Sequence, residues 1–192
     1  PKIRVFSNVD EHTSRFLAVR LARSSLHPAV HMPTTCTAPV YLFRAVIEAS
    51  LSRVRLMILS ADRPAYLVGT GISQTIDQQN LYGNHVRHFT DMGLPKDNNE
   101  SLHDHLFTAF QHSSGLKLEE PSGPVHLNFP FDEPLLPEKI IDIIPPPFTF
   151  ENIEKPVVEF SIPILTESKR SLIVVGPMEG NHHLKEIIQL AE

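Results

Sequence analysis

A chain of 192 residues, 41% hydrophobic and 20% charged, has the composition of a globular protein and the length for one core with the start of a second. Its formal net charge of -5, with no stripe of Lys and Arg, argues against a nucleic-acid backbone as main partner, and no run approaches the roughly 18 apolar residues of a membrane span. Cys36 is the only cysteine, so no internal disulfide is available; with no apolar signal core in PKIRVFSNVDEH, the cytoplasm is the expected compartment. The chain opens on a proline rather than a methionine and is expected to be a stretch of a larger polypeptide.

In chain order, IRVF at 3–6 reads as a strand, and Thr13 as the N-cap of a helix that buries Phe16, Leu17 and Leu21. PAVHM at 28–32 reads as the next strand. The following helix is expected after Pro39, burying Val40, Phe43 and Ile47. VRLMIL at 54–59 and VRHFT at 86–90 are strand-like, 100–112 is helical with Leu102, Leu106 and Phe110 on one side, and PVHLNF at 124–129 is again a strand. Strand and helix in alternation predict an α/β fold with a largely parallel sheet over residues 1–137.

From 138 to 170 the pattern changes. Prolines at 145, 146, 147, 156 and 163 forbid a continuing helix and predict an extended linker. Beyond it, SLIVVGPMEG reads as a strand turning at Gly176, and NHHLKEIIQLAE as a helix burying Leu184, Ile187, Ile188 and Ala191. Residues 171–192 would then be the first βα unit of a second α/β domain. No internal repeat is present.

Ligands in open α/β sheets gather at the carboxyl ends of strands, so polar residues at strand-to-helix junctions are the candidates. Asp10-Glu11 is one such pair, either a site carboxylate or a turn acid serving the helix N-terminus. PTTCTAP at 33–39 either cradles a polar ligand or caps its helix through Thr35 or Thr37. Arg63, in the ADRP turn, suits bidentate binding of a carboxylate, with the Gln74 amide beside it; the alternative is an ion pair with Asp62 or the capping of a helix end. Eleven histidines, including HDH at 103–105 and HH at 182–183, lack the spacing of a metal site. Cys36 reads as a small residue at a helix start or as a nucleophile. There is no Walker sequence, no G-x-G-x-x-G, and GPMEG at 176–180 has the wrong spacing.

SRVRLMILSADRPAYLVGTGISQTIDQQNLYGNHVRHFTDMGLP, continued by GPVHLNFPFDEPLLP, resembles the N-terminal pyrimidine-binding domain of the 2-succinyl-5-enolpyruvyl-6-hydroxy-3-cyclohexene-1-carboxylate synthase family. These are the thiamine-diphosphate enzymes of menaquinone (vitamin K2) biosynthesis. NVDEHTSRFLAVRLA resembles the family's D-E-R-S-x-G-F-x-A-x-G-L-A, PTTCTAPVYLFRAVIEA its T-S-G-T-A-x-x-N-x-x-P-A-x-x-E-A, and SLIVVGP the opening of its central domain. The resemblance implies that Glu11 is the catalytic glutamate that hydrogen-bonds the cofactor's aminopyrimidine, with Thr35 in the loop beside it. It implies that Arg63 and Gln74 face substrate. The implied reaction decarboxylates 2-oxoglutarate and adds the resulting carbanion to isochorismate, with thiamine diphosphate and magnesium as cofactors, in a homodimer or homotetramer.

By the same resemblance, the family's P-G-S-R segment would precede residue 1, and the domain that binds diphosphate and magnesium would follow residue 192. Arg15, Arg20 and Cys36 stand where the family has glycine, and a side chain near a close backbone approach can clash. That keeps a second reading open, a divergent non-catalytic module for assembly. A third, an acetolactate-synthase type of carboligase, fits ADRP and YGNHVRHFTDMGLP less well.

Overall fold

Two seven-residue strands, β2 (Leu56–Asp62) and β4 (Pro124–Pro130), pair in parallel from Leu56 opposite Pro124 to Asp62 opposite Pro130. In the computed structural model, which describes residues 3–25, 27–95, 100–116, 120–136, 172–176 and 184–191, they form the centre of a four-stranded sheet. β1 (Ala29–His31) flanks β2 and β3 (His88–Asp91) flanks β4, giving the order β1-β2-β4-β3, every pair parallel. The expected α/β class and four of its strands are therefore present. The proline that opens β4 occupies a strand's first position, where it disrupts least.

Helices cover both faces. Leu56 and Ile58 pack with α1 (Glu11–Ser25) and α3 (Phe43–Leu51), while Met57, Val125 and Leu127 pack with Ala109 of α4 (Glu100–Ser114), flanked by Leu106 and Phe110. A short α2 (Thr37–Tyr41) precedes α3, and Tyr82, fully buried, donates its hydroxyl to the Pro39 carbonyl at 2.7 Å.

The helix faces differ from expectation in a consistent way. α1 begins at Glu11, because the Asp10 carboxylate accepts the backbone N–H groups of His12 and Thr13, each at 3.1 Å; Asp10, not Thr13, is the cap. The Thr13 hydroxyl and the His12 N–H hold that carboxyl below its ordinary range. α1 buries Arg15, Ala18, Val19 and Ala22, leaving Phe16 and Leu17 exposed. α3 buries Ala45, Val46 and Ala49, with Leu42 just before it, while Val40 is exposed and Phe43 and Ile47 are half-buried. In both helices the small residues face inward, because two helices and a sheet approach closely only where side chains are short.

Residues 3–6 form no strand. Ile3 and Val5 are almost fully exposed, and among the described residues no neighbour pairs with them; extended chain without a partner has nowhere to place its backbone hydrogen bonds except water. The chain divides into compact units Pro1–Ile153 and Glu154–Glu192. The expected linker at 138–170 lies outside the described residues. In the second unit, 172–176 is exposed and not a strand, and α5 (Leu184–Ala191) forms as expected but leaves Leu184 and Ile188 exposed. An apolar stripe specifies a helix, but burying it takes a partner surface. No helix among the described residues is long and apolar enough to cross a membrane.

His126 lies inside β4, fully buried between the rings of Tyr82 and Phe89 at 4.8 and 5.1 Å. Burial pushes its imidazole down from 6.5 to about 4, against the pull of the Asp91 carboxylate. The unfolded chain therefore takes up a proton here at a higher pH than the folded one, so stability is complete above about pH 6.5 and is lost as pH falls toward 4. The loss is on the order of 3 kcal/mol. Urea denaturation between pH 7 and 4 should give His126→Gln a flatter stability profile than the parent, and parallel profiles would refute this assignment.

Candidate active site

Along the α1/α3 face of the sheet the side chains change character toward the carboxyl ends of the central strands. β2 runs from Leu56 and Ile58 to Ser60 and Asp62, and β4 presents His126 and Asn128 beside them, with Ser60 opposite Asn128 in register. All four polar residues are buried. The strand order places β4 between β2 and β3, so the connection out of β1 covers one face and the connection out of β3 the other. A crevice opens between the carboxyl ends of β2 and β4, where ligands of such sheets bind.

The polar groups form one network with a determined direction. Gln78, 1% exposed, comes from the loop between β2 and β3. Its Oε1 accepts the Cys36 N–H at 2.8 Å and its Nε2 donates to the Ala61 carbonyl at 2.9 Å, and these two backbone groups settle which end of the amide is which. Nε2 also donates to Asn128 Oδ1 at 2.9 Å, which leaves Asn128 Nδ2 to donate to Asp62 Oδ2 at 2.7 Å. Ser60 Oγ donates to the same Asn128 Oδ1 at 2.8 Å, so at 2.7 Å from His126 Nε2 it must accept. The His126 proton therefore sits on Nε2, and its buried Nδ1 has no partner among the described residues.

Asp62 also accepts the Arg63 backbone N–H at 2.7 Å. Burial pushes its carboxyl up and the charges of Asp91 and Asp77 add to this, while Asn128 and the Arg63 N–H hold it back. Asp91 accepts from Gly93 N–H at 2.7 Å and from the Gln79 amide.

Beside this network lies a cleft of about 440 Å³ whose lining includes Asp62, Arg63, Tyr66, Asp77, Gln78 and Asp91. The Arg63 side chain is half-buried, and among the described residues its guanidinium pairs with no carboxylate, its Nε being buried without a partner. The alternative of an Asp62–Arg63 ion pair is thus not what forms; the backbone N–H, not the side chain, binds Asp62. Gln74 is exposed with φ of 56°, off the cleft lining, and contributes its carbonyl to the Thr35 hydroxyl at 3.2 Å. Thr35 also reaches Gln78 Oε1 at 3.4 Å. It caps nothing: the residue preceding α2 is Cys36, which makes no side-chain cap.

Glu11 stands half-buried at the head of α1, and its carboxylate makes no hydrogen bond or ion pair among the described residues, since Asp10 has taken the capping role. Its neighbour in the field is His31 at the end of β1, bonded to Ser14 Oγ at 2.9 Å; burial pushes that ring down and the Glu11 charge pushes it back up. The structure thus joins Thr35, Gln74 and, through Gln78, the Ala61 carbonyl just before Asp62-Arg63, with Glu11 at the adjacent strand end. Of the three residues that the resemblance sets in glycine positions, Arg15 is buried and donates to the Tyr41 carbonyl, Arg20 is exposed, and Cys36 is half-buried with φ of 72°. No three His, Cys, Asp or Glu residues among those described converge to hold a metal, and 182–183 lie outside the described residues.

Gln78, Ser60, His126 and Asn128 were not singled out from sequence. A signal existed: polar residues at i and i+2 in each of two otherwise apolar strands, LMILSAD and PVHLNFP, mark one face turning polar at one end.

Residues 1–81 match the family described as "Thiamine pyrophosphate enzyme, N-terminal TPP binding domain". The whole chain is 37% identical to a 2-succinyl-5-enolpyruvyl-6-hydroxy-3-cyclohexene-1-carboxylate synthase of Listeria innocua, covering 34% of that protein. Proteins of the same name from Bacillus pumilus, at 34% identity over 99% of this chain and 34% of theirs, and from Haloquadratum walsbyi, at 38% over 92% and 31%, are similar to it in the same way. The chain spans about a third of the length of the curated relatives it matches.

Asn128 has partners on both ends of its amide. Asn128→Leu, close in volume, would strand Asp62 Oδ2, Gln78 Nε2 and the Ser60 hydroxyl, each unsatisfied group costing about 1 to 3 kcal/mol. Urea denaturation should show a loss of at least about 3 kcal/mol by that count; a loss below about 1 kcal/mol would mean the network does not hold the strand ends together.

Proposed function

We propose that this chain, which carries a thiamine pyrophosphate enzyme's N-terminal domain in its first 81 residues, is the pyrimidine-binding part of a 2-succinyl-5-enolpyruvyl-6-hydroxy-3-cyclohexene-1-carboxylate synthase. The domain would run over 1–137, a linker over 138–170 and the start of a central domain over 171–192. The observation that carries the reading is Glu11: a half-buried carboxylate at the carboxyl edge of the sheet, relieved of capping by Asp10 and with no partner among the described residues.

Those residues fit one end of thiamine diphosphate, its aminopyrimidine ring. Glu11 would hold a proton at the ring nitrogen, and the 33–36 loop carrying Thr35 would flank the ring. The cofactor supplies an electron sink for the carbanion released when a 2-oxo acid loses carbon dioxide. The diphosphate and its magnesium would be held by residues outside those described, contributed through a homodimer or homotetramer.

Arg63 would bind a substrate carboxylate, of 2-oxoglutarate or isochorismate. Its buried Nε lacks a partner among the described residues, and an arginine in this state gains a charge-assisted hydrogen bond from an anion with no pair among those residues to break. The three surrounding carboxylates, Asp62, Asp77 and Asp91, repel an anion everywhere in the cleft except at the guanidinium, which favours one orientation of the substrate. Gln74 would add a polar contact only if its exposed side chain turned toward the ligand. The second reading, a non-catalytic assembly module, is favoured by one feature, the side chain of Cys36 where relatives of this pattern have glycine.

Two substitutions in the complete enzyme test the synthase reading. Glu11→Gln removes a proton-relay carboxylate and should lower kcat by about 100-fold or more with Tm unchanged, since nothing in the fold depends on that group. Near-normal turnover would return Glu11 to a turn acid. Arg63→Ala should raise the KM for 2-oxoglutarate or isochorismate by roughly tenfold or more, from about 1.5 to 3 kcal/mol of lost charged hydrogen bonding, again without a change in Tm. A lowered Tm with unchanged KM would make Arg63 structural.

A further inference from the structure

Cys36 has φ of 72° and ψ of -119°, a backbone conformation that glycine adopts readily and a residue with a Cβ does not. Something must hold it there, and one side chain does. Gln78 Oε1 accepts the Cys36 N–H at 2.8 Å and lies 3.4 Å from the Thr35 hydroxyl, while Nε2 donates to Ala61 O and Asn128 Oδ1, both at 2.9 Å. Both donors of the amide are used, and its acceptor faces the loop. At 1% exposure the side chain has no water to exchange these partners for. The amide is therefore a two-ended clamp: one end grips the loop at 35–36, the other grips the strand ends immediately before Asp62 and Arg63.

We propose that Gln78 is a positioning residue that holds the Thr35–Cys36 loop in its strained form and keeps it in register with the Arg63 side of the cleft. The claim about the loop stands on geometry alone; the claim that the loop so held faces the cofactor ring rests on the synthase reading above. Without Gln78 the Cys36 N–H loses its acceptor, and the bond from the Thr35 hydroxyl to the Gln74 carbonyl is left to oppose release of the strain and movement of the loop. A displacement of about 1 Å is enough to spoil a positioned contact.

Cys36, the sole cysteine of the 192 residues, reports on its own loop. In the 192-residue chain under native conditions, Gln78→Leu should raise the rate of Cys36 labelling by a disulfide reagent at least tenfold, with no dependence on low urea, because the opening is local. A rate equal to the parent's, or one that rises only in step with global unfolding by urea, overturns the proposal. In the complete enzyme Gln78→Leu should raise the KM for thiamine diphosphate about tenfold and that for 2-oxoglutarate less than twofold. Adding Cys36→Gly, which removes the need for a clamp, should recover most of the loss; an equal rise in both KM values, or no recovery, overturns it. Should Gln78→Leu fail to fold, the same substitution in the Cys36→Gly background decides: a folded chain supports the clamp and an unfolded one refutes it. If the parent enzyme shows no dependence on thiamine diphosphate, the synthase reading falls, while the labelling rates still decide whether Gln78 holds the loop.

Discussion

The parallel register of β2 against β4 is the constraint on which the rest of the molecule depends. With Leu56 opposite Pro124, Ser60 falls opposite Asn128, and the polar ends of the two strands meet on one face. A slip of β2 by one residue would turn Ser60 and Asp62 onto the α4 side, against Val125 and Leu127 of β4, and bring Met57 and Leu59 to the crevice. The cost of burying unpaired polar groups in that apolar cluster enforces the register as strongly as the packing of Leu56 and Ile58 beneath α1 and α3.

Polar residues this deep are tolerated because the network closes on itself. Each donor of Gln78 and Asn128 has an acceptor, and the direction of every bond follows from two backbone groups, the Cys36 N–H and the Ala61 carbonyl. One cost remains: Nδ1 of His126 is buried without a partner, and the ring stays neutral because a charge there would be desolvated between Tyr82 and Phe89. The same network leads to the surface at Asp62, where the backbone N–H of Arg63 bonds the carboxylate and frees the guanidinium for the cleft.

Two adjacent acids divide two roles that the strand-end position alone would leave ambiguous. Asp10 satisfies the first turn of α1, and the carboxylate of Glu11, one residue later, makes no hydrogen bond or ion pair among the described residues. The three residues that the resemblance sets in glycine positions differ in their surroundings. Arg15 donates to the Tyr41 carbonyl, Arg20 lies in solvent, and the Cys36 N–H donates to Gln78, a residue 42 positions away.

Local pattern determined the class of this protein: strands and helices in alternation, which favours parallel pairing, with ADRP at the end of a strand and Asp10-Glu11 at the head of a helix. These are properties of short windows, and the chain's own hydrogen bonding and turn chemistry suffice to set them. The buried faces of α1 and α3 were decided by tertiary structure, because two apolar stripes competed in each and only close approach of helix to helix selected the one with alanines. The same holds for IRVF at 3–6 and for Leu184 and Ile188 of α5, which stay exposed among the described residues. The clamp by Gln78 was beyond any local reading, since Cys36, Ala61 and Asn128 meet it only when β2 and β4 lie side by side.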